Sequence, residues 1–267
     1  MNYVGIRGHR GAGKNSVAFL IGNTIQWLID EKKCPYVESY DEAYTRWVKQ
    51  IMNDEKIIHS VSLSDVYFDS FADTLKLFVE LITGIPHDYI YDDYYKDHVV
   101  INLRDFSYKV YDEIPEDLEL HTREELYNKM PRNGAAMTIM KNMYITMREF
   151  ILYFGIEVMQ RFFGLNVWVK SLKQNEERFN SIFDDDNSYK IYTDVKTPSE
   201  VTYILEKNGV IVHVTRPTNR KKSGGFDKLS RDGRIDYTIH VGGSLYQIKS
   251  QIFEVAKQII EKNNGKG

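Results

Sequence analysis

The sequence predicts an α/β fold: a mainly parallel sheet with helices on both faces. Short apolar runs alternate with longer segments whose apolar residues recur at helical spacing, the pattern of successive strand–helix units. Several of those runs, "YVGIR" at Tyr3–Arg7 and "VIVHVTRP" from Val210 among them, are continuously apolar and read as buried strands. The chain has 267 residues, enough for one domain with insertions, and no internal repeat or low-complexity tract divides it.

Bulk properties narrow the function classes. The net charge of -3 argues against a general partner for nucleic-acid polymers, although local cations can still hold a phosphate. Cys34 is the only cysteine, which excludes an intrachain disulfide framework and fits a reducing, cytoplasmic compartment. No basic segment followed by an apolar run opens the chain, and no apolar stretch approaches the length of a membrane span, so neither secretion nor a membrane partner is expected.

The elements follow in order. After the Tyr3–Arg7 strand, Val17, Leu20, Ile21, Ile25 and Leu28 set a helical period that should end before Pro35. "DEAYTRWVKQIMNDE" is a second helix. A strand at Val66–Asp69 leads into a helix from about Asp73 to Gly84. From Pro86 to Met130 the pattern breaks into a tyrosine- and aspartate-rich loop and a short hairpin, and Thr122 with Glu125 has the spacing of a capping box. This stretch reads as an insertion over the core, at about 85–147, too irregular to hold a core of its own. "MKNMYITMREFILYFGIEVMQRFFG" predicts one helix, resumed by "NVWVKSLKQNEERFNSIF". A strand at Tyr189–Val195, a helix opened by Pro198 and closed by Gly209, the Val210 strand, a strand "IDYTIHVGG" and a helix from Leu245 to Lys262 complete the chain. The basic segment "TNRKKSGGFDKLSRDGR" reads as a glycine-containing loop, expected to serve as a lid at about 217–235 on a single domain, 1–267.

The first strand–helix junction carries the chemistry. Gly8, Gly13 and Lys14 have the spacing G-x-x-x-x-G-K of a phosphate-binding loop, between an apolar strand and an amphipathic helix. Glycines let backbone N–H groups converge on an anion, and the helix N-terminus adds donors and a positive dipole end. Gly8, Arg10, Gly11, Ala12, Gly13, Lys14, Asn15 and Ser16 are therefore the expected ATP phosphate site, in a P-loop NTPase-type three-layer fold. An amide, Asn15, stands where a hydroxyl ordinarily meets Mg²⁺. Since Mg²⁺ keeps several waters and leans on substrate phosphates, either Asn15 or Ser16 can fill that role.

Ligands of α/β proteins bind at the carboxyl ends of the strands. Asp73, with Lys76 one turn on, follows one such end; Asp194, beside Lys196, follows another. Asp73 also suits a helix N-cap. Asp194 ends an apolar strand and needs a partner, which a Mg²⁺-bound water or a substrate group would supply. Arg216, then Arg220 and Lys221 on the lid, supply cations suited to phosphoryl transfer. Arg148 lies among apolar helical residues, as a snorkelling side chain or an anion clamp. The histidines and aspartates of 87–98 match no zinc spacing and read as a solvated loop.

Taken together, these stretches resemble the bacteriophage deoxynucleoside monophosphate kinases, over most of the chain except roughly 86–137. "GKNS" is similar to that family's G-K-D-T, with Asn for Asp. "FADTLK" resembles its segment after the second strand, and "MREFILYFGIEVMQRFFGLNVWVKSL" its R-x-L-L-Q-x-x-G-T helix and W-V pair. "YTDVKTPSEVTYILEKNGVIVHVTRP" resembles its D-x-R…E and V-x-R-P segments, and "DYTIHVGGSLYQI" its closing strand and helix start. Ile156 stands in place of the family's Thr and Lys196 in place of its Arg, and the lid lacks the usual His and Glu.

The resemblance implies a kinase moving the γ-phosphate of ATP to a deoxynucleoside monophosphate with Mg²⁺, in the host cytoplasm if phage-encoded. It implies that Asp73, Lys76, Arg148, Gly155, Trp168, Asp194, Lys196 and Glu200 serve the acceptor, and that Lys14, Asp194 and Arg216 are catalytic. A homodimer is compatible with it. The alternatives are a P-loop kinase for another small phosphorylated acceptor and a nucleotide-binding regulator that transfers nothing.

Overall fold

The computed structural model describes residues 1–9, 11–34, 38–53, 63–129, 143–180, 188–217 and 235–264. Arg10, Arg220, Lys221 and nearly all of the expected lid lie outside them. Strands are numbered along the chain as β1 Asn2–Arg7, β2 Val66–Asp69, β3 Val99–Asn102, β4 Tyr108–Val110, β5 Tyr144–Thr146, β6 Tyr189–Tyr192, β7 Val210–Thr215 and β8 Tyr237–His240. Helices are α1 Lys14–Lys33, α2 Tyr40–Asn53, α3 Asp73–Thr83, α4 His87–Tyr91, α5 Asp93–His98, α6 Arg123–Lys129, α7 Met147–Leu152, α8 Val167–Asn180, α9 Pro198–Glu206 and α10 Lys249–Asn264. A π-helical stretch, Tyr153–Gln160, follows α7. The chain divides into two compact units, Met1–Phe71 with Glu176–Gly267, and Ala72–Asn175.

The first unit is α/β. Its five strands run in the order β2-β6-β1-β7-β8, and every neighbouring pair is parallel. Alternation along β1 assigns the helices to faces. Val4 and Ile6 enter a core with residues of α1, α2 and α10, including Ile21, Trp47 and Ile252. Gly5 points the other way, where a Cβ would lie 2.5 Å from Ile204 of α9. Helices therefore cover both faces. The connection leaving β1 goes to one face as α1, and the connection leaving its neighbour β6 goes to the other as α9. Such a divergence opens a crevice at the carboxyl ends of two adjacent strands.

Local signals account for the ends of these elements. Thr197 and Glu200 form a capping box at α9, with Pro198 in the first turn. Helix α1 stops at Lys33, ahead of Pro35, with Cys34 extended and exposed.

The second unit departs from the sequence expectation in two places. Tyr144–Thr146, expected as helix, is strand β5, paired antiparallel with β3 so that Ile145 faces Ile101. The tyrosine- and aspartate-rich segment expected as loop forms α4 and α5, the latter capped by the Asp92 carboxylate accepting from the Tyr94 N–H at 2.8 Å. The insertion's apolar residues enter a core shared with the flanking helices: Ile85, Ile90, Val99, Ile101 and Leu126 pack with Leu75, Val79, Phe150 and Trp168. Part of that core comes from helices flanking the irregular segment, which is why the segment looks sparse when read alone. The expected hairpin is present as β3–β4, and Thr122 and Glu125 form their reciprocal capping bonds at 2.8 and 3.3 Å. No helix among the described residues is long and apolar enough to cross a membrane.

Candidate functional site

In the first unit the loop after β1 is pinned against β7. A Cβ on Gly8 would lie 2.4 Å from the Val214 carbonyl oxygen, so only glycine permits this approach. The His9 Nε2 meets the Arg216 carbonyl at 3.1 Å, and the Ala12 N–H closes the turn onto the His9 carbonyl at 3.2 Å. Ala12 is buried in the core beneath. Gly11 and Gly13 have φ of 78° and 86°, in the left-handed region. Gly13 is the N-cap of α1, and neither a side-chain cap nor an acidic residue in the first turn offsets the positive end of this 20-residue helix. Asn15 is exposed and Ser16 half-buried on that turn.

Lys14 folds back over the loop. Its Nζ donates to the His9 carbonyl at 3.1 Å and lies 3.8 Å from Asp194 Oδ1. Asp194 stands two residues past β6, on the connection that β1 holds through a Val195 N–H to Ile6 carbonyl bond of 2.9 Å. Its Oδ2 pairs with Lys196. Its Oδ1 is buried and has no hydrogen-bond partner, since 3.8 Å to Lys14 is too long for one. A buried carboxylate oxygen with unmet accepting capacity, beside a lysine and a helix N-terminus, fits a metal-bound water or a donor group of a ligand. No group of three or more His, Cys, Asp or Glu side chains able to hold a metal occurs among the described residues. A Mg²⁺ here would thus take most of its ligands from phosphates and water.

No protein-family model matches this sequence, and no curated protein matches it.

The other expected residues fall into three groups. Glu200 is a structural cap: its Oε2 accepts from the Lys196 and Thr197 N–H groups at 2.6 and 2.8 Å. Burial raises its pKa despite those two donors. Through the Lys196 amide it fixes the backbone that carries Asp194. Arg216 has an exposed side chain at the end of β7, and its carbonyl serves His9.

In the second unit, Trp168 and Gly155 belong to the core. The indole N–H donates to the Gly155 carbonyl at 3.2 Å, and a Cβ on Gly155 would lie 2.5 Å from Leu75 Cδ2. Asp73 is not the N-cap of α3, a position held by Ala72; its carboxylate instead accepts from Lys76 Nζ at 3.0 Å. Arg148 takes both oxygens of Asp97, through Nε and, at 3.0 Å, through Nη2. Lys96, which the sequence placed in a solvated loop, joins this cluster through Asp93 at 2.9 Å.

Sequence reasoning also missed Glu176. It is 4% exposed and accepts from the Tyr192 and Tyr203 hydroxyls and from Lys190, which also pairs with Asp69 at 2.8 Å. Burial alone would raise its pKa, but Lys190 and the two hydroxyls outweigh burial and hold it below the ordinary glutamate range. Its partners lie 14 to 27 residues away.

Proposed function

We propose that this chain is a P-loop kinase that transfers the γ-phosphate of ATP to a deoxynucleoside monophosphate. The observation that carries the reading is Lys14 facing, at 3.8 Å, an Asp194 Oδ1 that accepts no hydrogen bond, at the mouth of a glycine loop. The loop in turn opens the crevice of a parallel sheet. The acceptor class rests on the resemblance of the chain to the bacteriophage deoxynucleoside monophosphate kinases.

The backbone of Gly8–Gly13 and the N-terminus of α1 would hold the donor phosphates. Lys14 would turn from the His9 carbonyl to the outer phosphates, a movement its flexible stem allows. Mg²⁺, when bound, would neutralise charge on those phosphates, held by Asn15 or Ser16 and, through water, by Asp194. Arg216 and the basic lid would face the transferring group. On the second unit, Lys76 and Arg148 would hold the acceptor phosphate.

In the transfer an oxygen of the acceptor phosphate forms a bond to the γ-phosphorus. The bond from that phosphorus to the β–γ bridging oxygen breaks, leaving ADP and a diphosphate. The attacking phosphate oxygen carries no proton at neutral pH, so the chain needs positioning and charge neutralisation more than a general base.

The test is a coupled assay of ADP formation with ATP, Mg²⁺ and each deoxynucleoside monophosphate in turn. Transfer to one or more of them supports the reading. Transfer only to other small phosphorylated molecules keeps the P-loop kinase and replaces the acceptor. ATP binding without transfer to any acceptor gives the nucleotide-binding regulator.

A further inference from the structure

Two lysines of the second unit meet at Tyr91, and an arginine joins them through a shared carboxylate. The Lys76 Nζ lies 4.1 Å from the centre of the Tyr91 ring, and the Lys96 Nζ donates to the Tyr91 carbonyl at 3.5 Å. Arg148 joins them through Asp93, whose Oδ1 is 2.9 Å from Lys96 Nζ and 3.6 Å from Arg148 Nη2. The cations are the buried partners: the side chains of Lys76, Lys96 and Arg148 are only 16%, 16% and 19% exposed. The carboxylates of Asp93 and Asp97 are 73% and 47% exposed and stand on the solvent side.

The positive charges crowd one another. Burial lowers the pKa of Lys96, and Lys76 and Arg148 lower it further against the opposing pull of Asp93. Donors are also left over. Among the described residues Arg148 Nη1 has no partner, and Lys76 and Lys96 each make fewer hydrogen bonds than the three an ammonium can donate. Asp73 stays paired with Lys76 at 3.0 Å, so displacing the two solvent-facing carboxylates, Asp93 and Asp97, leaves a net charge that one phosphate monoester dianion matches.

We propose that Lys76, Lys96 and Arg148 form a phosphate-monoester site, and that Asp93 and Asp97 are counter-ions displaced when the phosphate enters. The proposal rests on the kinase reading for the identity of its ligand, the acceptor. Lys96, Asp93 and Asp97 lie in the stretch that the family resemblance does not cover, so this chain's own insertion supplies a cation of the site.

Calorimetric titration of inorganic phosphate and of each common deoxynucleoside 5′-monophosphate into the full chain, without ATP, tests it. At least one monophosphate binds the native chain. Lys96→Met weakens that binding about ten- to a hundredfold, the loss of one charged hydrogen bond, and Lys96→Arg restores most of it. Asp97→Asn tightens it several-fold, because the competing anion is gone, and this arm decides by itself if Lys96→Met does not fold. Absence of any monophosphate binding overturns the proposal. So does a lowered melting temperature in Lys96→Met or Asp97→Asn with unchanged affinity, which makes the cluster structural only. Measured ADP formation separates the two readings. A normal acceptor KM in Lys96→Met removes this site and leaves the kinase. Lys96-dependent binding without transfer removes the kinase and leaves the site.

Discussion

Lys14 and Asp194 face each other across the ends of two adjacent parallel strands, 3.8 Å apart, and neither satisfies the other. Lys14 spends a donor on the loop's own His9 carbonyl, and Asp194 keeps one oxygen without a hydrogen bond. The side chain of Lys14 is 13% exposed, less open than its place in a glycine loop suggests. Lys14→Ala should abolish phosphoryl transfer, by about a hundredfold or more as for a lost transition-state donor, with near-native circular dichroism. Near-normal activity in the folded variant would remove the donor-site assignment.

Gly8 and Gly13 should respond differently to the same substitution. A methyl at Gly8 collides with the Val214 carbonyl at 2.4 Å, whereas at Gly13 nothing lies within 4 Å and only the φ of 86° opposes alanine. Gly13→Ala should therefore cost about 1–2 kcal/mol, the left-handed penalty alone. Gly8→Ala should cost more, because backbone must move, and should weaken ATP binding more. Urea denaturation with nucleotide titration of both variants gives the ranking, and equal losses would contradict the close packing of the loop on β7.

Asn15→Asp should remain active and become slightly more stable. Helix α1 has no acidic residue in its first turn, and a carboxylate there is worth about 0.3–1 kcal/mol. The resembling family carries Asp at this position. A small rise in melting temperature, with the Mg²⁺ dependence of rate preserved, is the expected result; complete inactivity would mean that the loop holds its ligand differently.

What the sequence disclosed and what it hid have physical reasons. The Val66–Asp69 strand, the glycine loop and the Thr122–Glu125 box are local patterns, readable without a partner. Tyr144–Thr146 was not, because Met143 and Met147 continue the helical spacing across it, and only pairing with Val100–Asn102 makes it a strand. Helices of five and six residues, such as α4 and α5, are too short to display a period. Glu176 sits in a polar helical run that looks solvated until Tyr192, Tyr203 and Lys190 close around it. Lys96 was hidden the same way, since its neighbours Lys76 and Arg148 lie far off along the chain.

Glu176 should govern acid stability. Its folded-state pKa is lowered, so its contribution is fully present above the ordinary glutamate value of about 4.3 and is lost as pH falls through the lower folded-state value. The native chain should lose stability steeply below about pH 4.3, and Glu176→Gln should flatten that limb. Glu176→Ala, which removes the acceptor of two buried tyrosine hydroxyls and leaves Lys190 with Asp69, should cost about 1–3 kcal/mol or more at neutral pH. Urea midpoints measured against pH for the three proteins check both statements; parallel acid limbs for the native and glutamine forms would contradict them.

Arg148 tests the acceptor side of the reading. It grips Asp97 in a bidentate manner and also donates to the Asp93 carbonyl at 3.2 Å, so its guanidinium is held in one orientation on the second unit. Lysine keeps the charge but cannot make two parallel bonds to one anion. If Arg148 holds the acceptor throughout the reaction, Arg148→Lys should raise the acceptor KM about ten- to a hundredfold, the worth of one charged hydrogen bond, and leave the ATP KM nearly unchanged. If the grip tightens only during transfer, kcat carries the loss instead. Steady-state kinetics with each substrate varied separately distinguish these outcomes. Unchanged kcat and acceptor KM would reduce Arg148 to a structural partner of Asp97, and a rise in ATP KM alone would move it to the donor side.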